Sequence, residues 1–148
     1  MPFRFTLEAV LGYRRSLEDR EKMRLQPLLA RRAAGQEELQ RVRDAQRHLQ
    51  TALHQELQRA PTPAIAVQFS VACLDSMENR QTRLQSQLQQ LQKEIAQQMA
   101  CYQQERRKRE VLESLRDAQL RDYRLTQQRR EQARLDEMHL LRRGRGLA

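Results

Sequence analysis

Apolar residues recur every three or four positions along the first half of the chain. This spacing places them on one face of an α-helix, and a stripe this narrow is typical of a coiled coil. Polar residues interrupt the same series, so the sequence predicts a helix with an incomplete apolar seam. The apolar members are Leu7, Leu11, Leu25, Leu28, Leu39, Val42, Leu49 and Leu53, and the series also passes through Arg14, Glu18, Glu21, Arg32, Gly35 and Gln46.

A second series of the same kind follows in the other half of the chain. No proline or glycine lies between Ala64 and Arg143, and both residues would weaken a helix interior. Leu115 is out of phase with the series, as in a coiled-coil stutter. The pattern predicts one long second helix. Its seam positions are Met77, Leu84, Leu88, Leu91, Ile95, Tyr102 and Leu112.

Prolines and glycines set the predicted boundaries. Pro61 and Pro63 end the first helix, which is predicted over about 5–59, with a turn at about 60–64. Pro27 lies inside that helix and costs roughly 3 kcal/mol there, so we expect a bend rather than a straight helix. The second helix is predicted over about 65–143. Gly144-Arg145-Gly146 then begins a predicted disordered tail, 144–148.

These elements predict an all-α fold: a long two-helix antiparallel coiled-coil hairpin forming a single domain, 1–148. Because the second helix is the longer one, its C-terminal end is expected to extend past the N-terminus of the first. We expect that overhang to start between about Tyr102 and Leu112. An overhanging helix has no partner in the chain to cover its apolar stripe, so it is a natural binding surface.

Composition supports this fold and restricts the partners. Charged residues make up 32% of the chain and aromatic residues 4%, with no tryptophan, so a wide apolar core is excluded. The formal net charge of +9 favours anionic partners such as an acidic protein, a membrane surface or nucleic acid. No run of about 18 apolar residues is present, so no membrane span is expected.

The cysteines indicate a reducing compartment. Cys73 and Cys101 are 28 residues apart. On one straight helix that is about 42 Å, far beyond the roughly 7 Å that a disulfide allows between Cα atoms. Two reduced thiols in a cytosolic protein are therefore the simplest interpretation.

Motifs for catalysis or cofactor binding do not occur. The sequence contains no phosphate-binding loop, metal signature or nucleophile motif. His48 and His54 are six positions apart and fall on different helix faces. An isolated coiled coil also offers no desolvated cleft for catalysis. We therefore expect a non-enzymatic protein with no cofactor and no small-molecule substrate.

Two regions are similar to a known family. The N-terminal region reads Phe3-Arg4-Phe5-Thr6-Leu7-Glu8-Ala9-Val10-Leu11, followed by Arg14-Arg15 and Glu18. The C-terminal region reads Arg107-Lys108-Arg109-Glu110-Val111-Leu112-Glu113-Ser114-Leu115-Arg116, then Asp122-Tyr123, then Gln128-Arg129-Arg130-Glu131-Gln132-Ala133-Arg134-Leu135-Asp136-Glu137. Together they resemble FliJ, the small coiled-coil family of the bacterial flagellar type III export apparatus. Pro27 and Gly35 depart from that likeness.

The resemblance implies a cytoplasmic protein held at the inner face of the inner membrane by the export apparatus. Members resemble the central stalk of rotary ATPases. They insert into the hexameric ring of the flagellar export ATPase and promote its assembly and activity. They also contact the membrane-embedded export gate and the export chaperones. All three are therefore the expected partners.

Two sets of residues are candidate contacts with these partners. The C-terminal arginines could pair with carboxylates lining the bore of the ATPase ring. A mixture of polar and apolar residues near the turn is the candidate contact for the gate. The ATPase set is Arg124, Arg129, Arg130, Arg134, Leu135, Asp136 and Glu137, and the gate set is Leu39, Val42, Leu49, Phe69 and Cys73.

Three alternatives remain open at this level. The equivalent stalk of a virulence type III secretion system would have nearly the same sequence chemistry. A basic coiled coil that binds nucleic acid would use the run 105–110, although acidic residues interleave with the basic ones. A purely structural coiled coil would self-associate through the overhang and affect no ATPase.

Overall fold

The computed structural model describes residues 2–59 and 61–146, and that part of the chain contains two α-helices and no strand. Helix α1 is Glu8–Arg59 and helix α2 is Ala64–Gly146. The two helices pack against each other, which confirms the predicted all-α, two-helix fold. Ala60, in the predicted turn, lies outside the described residues.

Backbone hydrogen bonds define where each helix begins. The amide of Glu8 donates to the carbonyl of Phe5 at 3.2 Å, so a turn precedes α1. Before α2, the carbonyl of Pro63 accepts from the amides of Ala66 and Val67. This proline fits because its missing N–H would have no helical acceptor there. Pro27 lies inside α1 and is exposed, and α1 is one continuous helix from Glu8 to Arg59.

The end of α2 differs from the predicted tail. The helix includes Gly144, Arg145 and Gly146, which the sequence predicted to be disordered. A glycine costs only about 1 kcal/mol in a helix, and the arginines around it are good helix formers, so two glycines do not stop a helix already formed. Residues 147 and 148 of the predicted tail lie outside the described residues.

The chain divides into two compact units. The central unit is Arg20–Tyr102, and the terminal unit combines Met1–Asp19 with Gln103–Ala148. Each unit therefore contains a stretch of α1 and a stretch of α2. The single domain expected from the sequence stays a prediction.

In the central unit the two helices run antiparallel. Glu21 near its start accepts a hydrogen bond through its backbone carbonyl from the side chain of Gln98, at 3.1 Å. Farther along α1, Glu38 pairs with Arg80. The partner numbers fall as the α1 numbers rise. The buried apolar side chains of this unit are Leu25, Leu39, Val42 and Ile95.

Gly35 on α1 lies directly against a side chain of α2 in the central unit. A Cβ atom built on Gly35 would lie 2.7 Å from Cδ2 and 3.5 Å from Cγ of Leu88. Leu88 on α2 therefore occupies the space that a side chain on α1 would fill. Glycine is unfavourable inside a helix, but at this position its lack of a side chain leaves room for Leu88.

Enlarging this position should weaken the central unit. We expect Gly35→Leu to lower the free energy of unfolding by about 1–3 kcal/mol, because overpacking forces the helices or Leu88 to move. Gly12→Leu is the matched control, since a Cβ on Gly12 meets nothing within 4 Å. It should instead stabilise α1 slightly, because leucine favours helix over glycine. Urea unfolding followed by circular dichroism measures both; equal stability of the two variants would contradict the packing role.

The terminal unit has a small apolar core at the N-terminus. Leu11 is completely buried and Phe5 is 7% exposed. The rings of Phe3 and Tyr123 lie with their centroids 5.6 Å apart and tilted by 49°. The residues before α1 extend the pairing, because Tyr123, the partner of Phe3, lies seven positions beyond Arg116, the partner of Glu8. Pairing therefore extends to Tyr123, and the predicted start of the overhang between Tyr102 and Leu112 is too early.

Neither helix, in the part of the chain described, contains a stretch apolar enough to cross a membrane.

Candidate protein-binding surface of the terminal unit

An ionic cluster joins the two helices of the terminal unit. Arg109 on α2 pairs with Glu18 on α1 and with Glu113 at 2.6 Å, and Arg15 on α1 reaches the same Glu113 at 3.1 Å. The side chains of Arg109 and Glu18 are only 19% and 13% exposed. The hydrogen bond to Glu18, with the nearby carboxylates, raises the pKa of Arg109 above its ordinary value despite partial burial. This cluster therefore holds α1 and α2 in register, with Glu18 beside Arg109.

Most of the basic run 105–110 is neutralised within the chain. Arg106 pairs with Glu110 at 2.9 Å, and Lys108 pairs with Glu105 at 3.6 Å. Arg109 is held in the ionic cluster. Of the four cations in this run, Arg107 alone has no carboxylate of a described residue within 4 Å. The observation disfavours this run as a nucleic-acid interface, which needs cations that can reach phosphates.

The α2 residues beyond Gln127 form a different surface. Every residue from 128 to 146, hereafter the C-terminal segment, is exposed. The segment contains six arginines against three carboxylates, Glu131, Asp136 and Glu137. Its large apolar side chains are between 49% and 68% exposed: Leu135 49%, Met138 50%, Leu140 68% and Leu141 66%.

The arginines of the C-terminal segment are unneutralised. None of them lies within 4 Å of a carboxylate oxygen of the described residues. Arg130 and Arg134 are four positions apart, so they are neighbours on the helix surface and their like charges repel. An anionic partner would relieve that repulsion. The six are Arg129, Arg130, Arg134, Arg142, Arg143 and Arg145.

The seam of α2 continues into this segment. The half-buried residues of α2 in the terminal unit include a series that recurs every three or four positions and ends at Gln127. The same spacing next reaches Arg130, Arg134, Met138 and Leu141. Those four residues therefore lie on the face that α1 covers upstream. The seam residues before them are Arg109, Leu112, Arg116, Leu120, Tyr123 and Gln127.

All seven residues predicted to contact the ATPase are exposed, but they do not share one face. Arg130 and Arg134 lie on the seam face. Adjacent helical residues are about 100° apart, which puts Arg129 and Asp136 on the opposite side. Asp136 also accepts a hydrogen bond from Gln132 at 3.0 Å. The remaining candidates of this set are Arg124, Leu135 and Glu137.

The five residues predicted to contact the gate divide by burial. Leu39 and Val42 are each 8% exposed and form part of the central core. Leu49 and Cys73 are half-buried. Phe69 alone is an open apolar side chain, at 71% exposure.

Sequence reasoning passed over Ile65, which is one helical turn before Phe69 and 80% exposed. The signal was available, because no charged residue occurs between Pro61 and Leu74 in a chain that is one third charged. The residues described contain no group of three or more His, Cys, Asp or Glu side chains that could share a metal ion.

The fold and the surface define a two-helix coiled-coil protein with an exposed, arginine-rich C-terminal segment. The family model described as "Flagellar FliJ protein" matches residues 3–146, nearly the whole chain. The chain belongs to the FliJ family, which connects it with flagellar export. No curated protein and no solved structure matches it significantly.

Proposed function

We propose that this protein is a stalk-like component of the flagellar type III export apparatus that binds the export ATPase ring and promotes its assembly and activity. The observation that carries the proposal is the C-terminal segment, a helix exposed on all sides with six unneutralised arginines. A helix that no other part of its unit covers can enter a ring, and its guanidinium groups can pair with carboxylates there.

The rest of the proposal follows from family membership. The protein acts at the cytoplasmic face of the inner membrane, and it links the ATPase to the export gate and to export chaperones. It works by binding proteins rather than by catalysis. Support for this last point is the C-terminal segment, where exposed arginines and large apolar side chains lie together, a composition suited to contact with another protein.

The direct test mixes the purified chain with the flagellar export ATPase of the same organism. ATP hydrolysis and the fraction of hexamer are measured as the chain is added. We expect both to rise, because a stalk that contacts several subunits stabilises the ring by binding it preferentially. If the chain neither binds the ATPase nor stimulates it, the proposed mechanism is wrong, while the family assignment still stands.

The gate contact is proposed for the start of α2, with Phe69 as its accessible residue. We expect Phe69→Ser to weaken binding to the purified cytoplasmic part of the gate protein while helicity and the unfolding midpoint stay unchanged, because the side chain is 71% exposed. Leu39→Ala is the comparison. It should lower the free energy of unfolding by about 2–4 kcal/mol, since it removes a buried side chain. Equal gate binding by wild type and Phe69→Ser would contradict the assignment.

A further inference from the structure

The seam face of α2 is covered in one part of the terminal unit and open in the next. Upstream, α1 and the residues before it cover this face as far as Tyr123, where Phe3 packs against the ring. Beyond Gln127 the same face continues through Arg130, Arg134, Met138 and Leu141 with nothing over it in the described chain. The open face is therefore continuous with an existing helix–helix interface.

The covered part shows which chemistry suits this face. There, α1 supplies carboxylates to the α2 arginines: Glu18 to Arg109, and Glu8 to Arg116 at 3.6 Å. Apolar contacts between the same elements lie beside these ion pairs, with Phe5 and Leu11 buried. In the open part the arginines and the apolar side chains are both present, but no carboxylate from a second helix faces them, and Glu131, Asp136 and Glu137 of the segment itself form no ion pair with its arginines in the described chain.

We infer that the open face binds an acidic amphipathic α-helix of a partner protein, which takes the place that α1 holds upstream. Its carboxylates pair with Arg130 and Arg134, and its apolar residues pack on Met138 and Leu141. The inference rests on the proposed function for the identity of the partner. The chemistry of the partner follows from the open face alone. A second copy of the same segment is a poor occupant, because each copy has six arginines and three carboxylates, so two copies would repel each other through their excess positive charge.

The direction of the bound helix follows from the same continuity. In the terminal unit α1 runs antiparallel to α2, since Glu18 faces Arg109 and Glu8 faces Arg116. A helix that continues this seam has its C-terminus near Arg130 and its N-terminus near Arg142. That arrangement also places the positive N-terminal end of the partner beside the negative C-terminal end of α2.

The test uses synthetic peptides and the full chain. The acidic probe has about three heptads with leucine at positions a and d and glutamate at e and g, and the basic probe has lysine at e and g. Fluorescence anisotropy should show binding of the acidic probe alone. Arg130→Glu combined with Arg134→Glu should weaken that binding at least about tenfold, as should Met138→Asn with Leu141→Asn. A photo-crosslinker at the C-terminus of the probe should label the chain near Arg130.

A single reversal on the opposite side of the helix is the control: Arg143→Glu, about 180° around the helix from Arg134, should change the affinity by less than about threefold. Equal binding of both probes, an equal effect of Arg143→Glu, or duplex DNA displacing the acidic probe would each overturn the inference. Crosslinks in the reversed orientation would do the same. If the chain binds the acidic probe but not the ATPase, the proposed function is wrong and this inference stands. If the chain binds the ATPase but not the probe, this inference is wrong and the proposed function stands.

Discussion

Replacing Arg130 and Arg134 together by glutamate should abolish stimulation of the export ATPase and weaken its binding by about 10–100-fold. Each reversal removes a charge-assisted contact and adds a repulsion, and roughly 1.4 kcal/mol corresponds to each factor of ten. The helix itself should survive. Both side chains are exposed and unneutralised, and the change replaces one like-charge pair four positions apart by another. Titration of ATPase activity and of hexamer fraction, with circular dichroism, measures the effect.

The matched control for this variant is Arg47→Glu with Arg83→Glu. These two arginines are exposed, lie in the central unit and form no ion pair with a described carboxylate, so the net charge of the chain changes equally. Stimulation should be largely retained in the control. If both double variants lose stimulation alike, net charge rather than the C-terminal segment governs binding, and the proposed surface is wrong.

Reversing Arg109 to glutamate should loosen the N-terminal part of α1 from α2. The change replaces the cation that Glu18, Glu110 and Glu113 share by a fourth carboxylate. We expect the free energy of unfolding to fall by about 1–2 kcal/mol, more than for a single exposed ion pair, because several contacts are lost and repulsions are added. Amide hydrogen exchange should show the loss of protection in residues 8–19 first.

Two further variants test the Arg109 prediction. Arg107→Glu is the control, because Arg107 is exposed and pairs with no described carboxylate, and it should leave exchange nearly unchanged. Glu18→Arg combined with Arg109→Glu should recover part of the protection by restoring the pair with its charges exchanged. Absence of any recovery would mean that Arg109 acts through packing and not through Glu18.

The fold itself could be read from the sequence. The three-to-four spacing of leucines, the two prolines at Pro61 and Pro63, and the uninterrupted stretch after Ala64 are local signals, and α1 and α2 follow them closely. A helix terminus depends on smaller energies, about 1 kcal/mol for a glycine. That is why Gly144 and Gly146 were predicted to end a helix that in fact includes them.

The candidate site could be predicted only in part. Periodicity showed that the end of α2 extends beyond its partner helix, and composition showed that this end is rich in arginine. Neither shows which arginines are already paired. The run 105–110 and the C-terminal segment both contain more basic than acidic residues in the sequence, yet carboxylates of α1 and α2 neutralise most of the cations in the first and none of those in the second.

The sequence by itself determined two long helices, the place of the turn and membership of the FliJ family, because each depends on residues close together in the chain or on the pattern of the whole. Tertiary structure decided what depends on pairs far apart in sequence. Leu88 filling the space at Gly35, Phe3 reaching Tyr123 and Glu18 holding Arg109 are such pairs. They fix where the seam is covered, and so which arginines stay free for a partner.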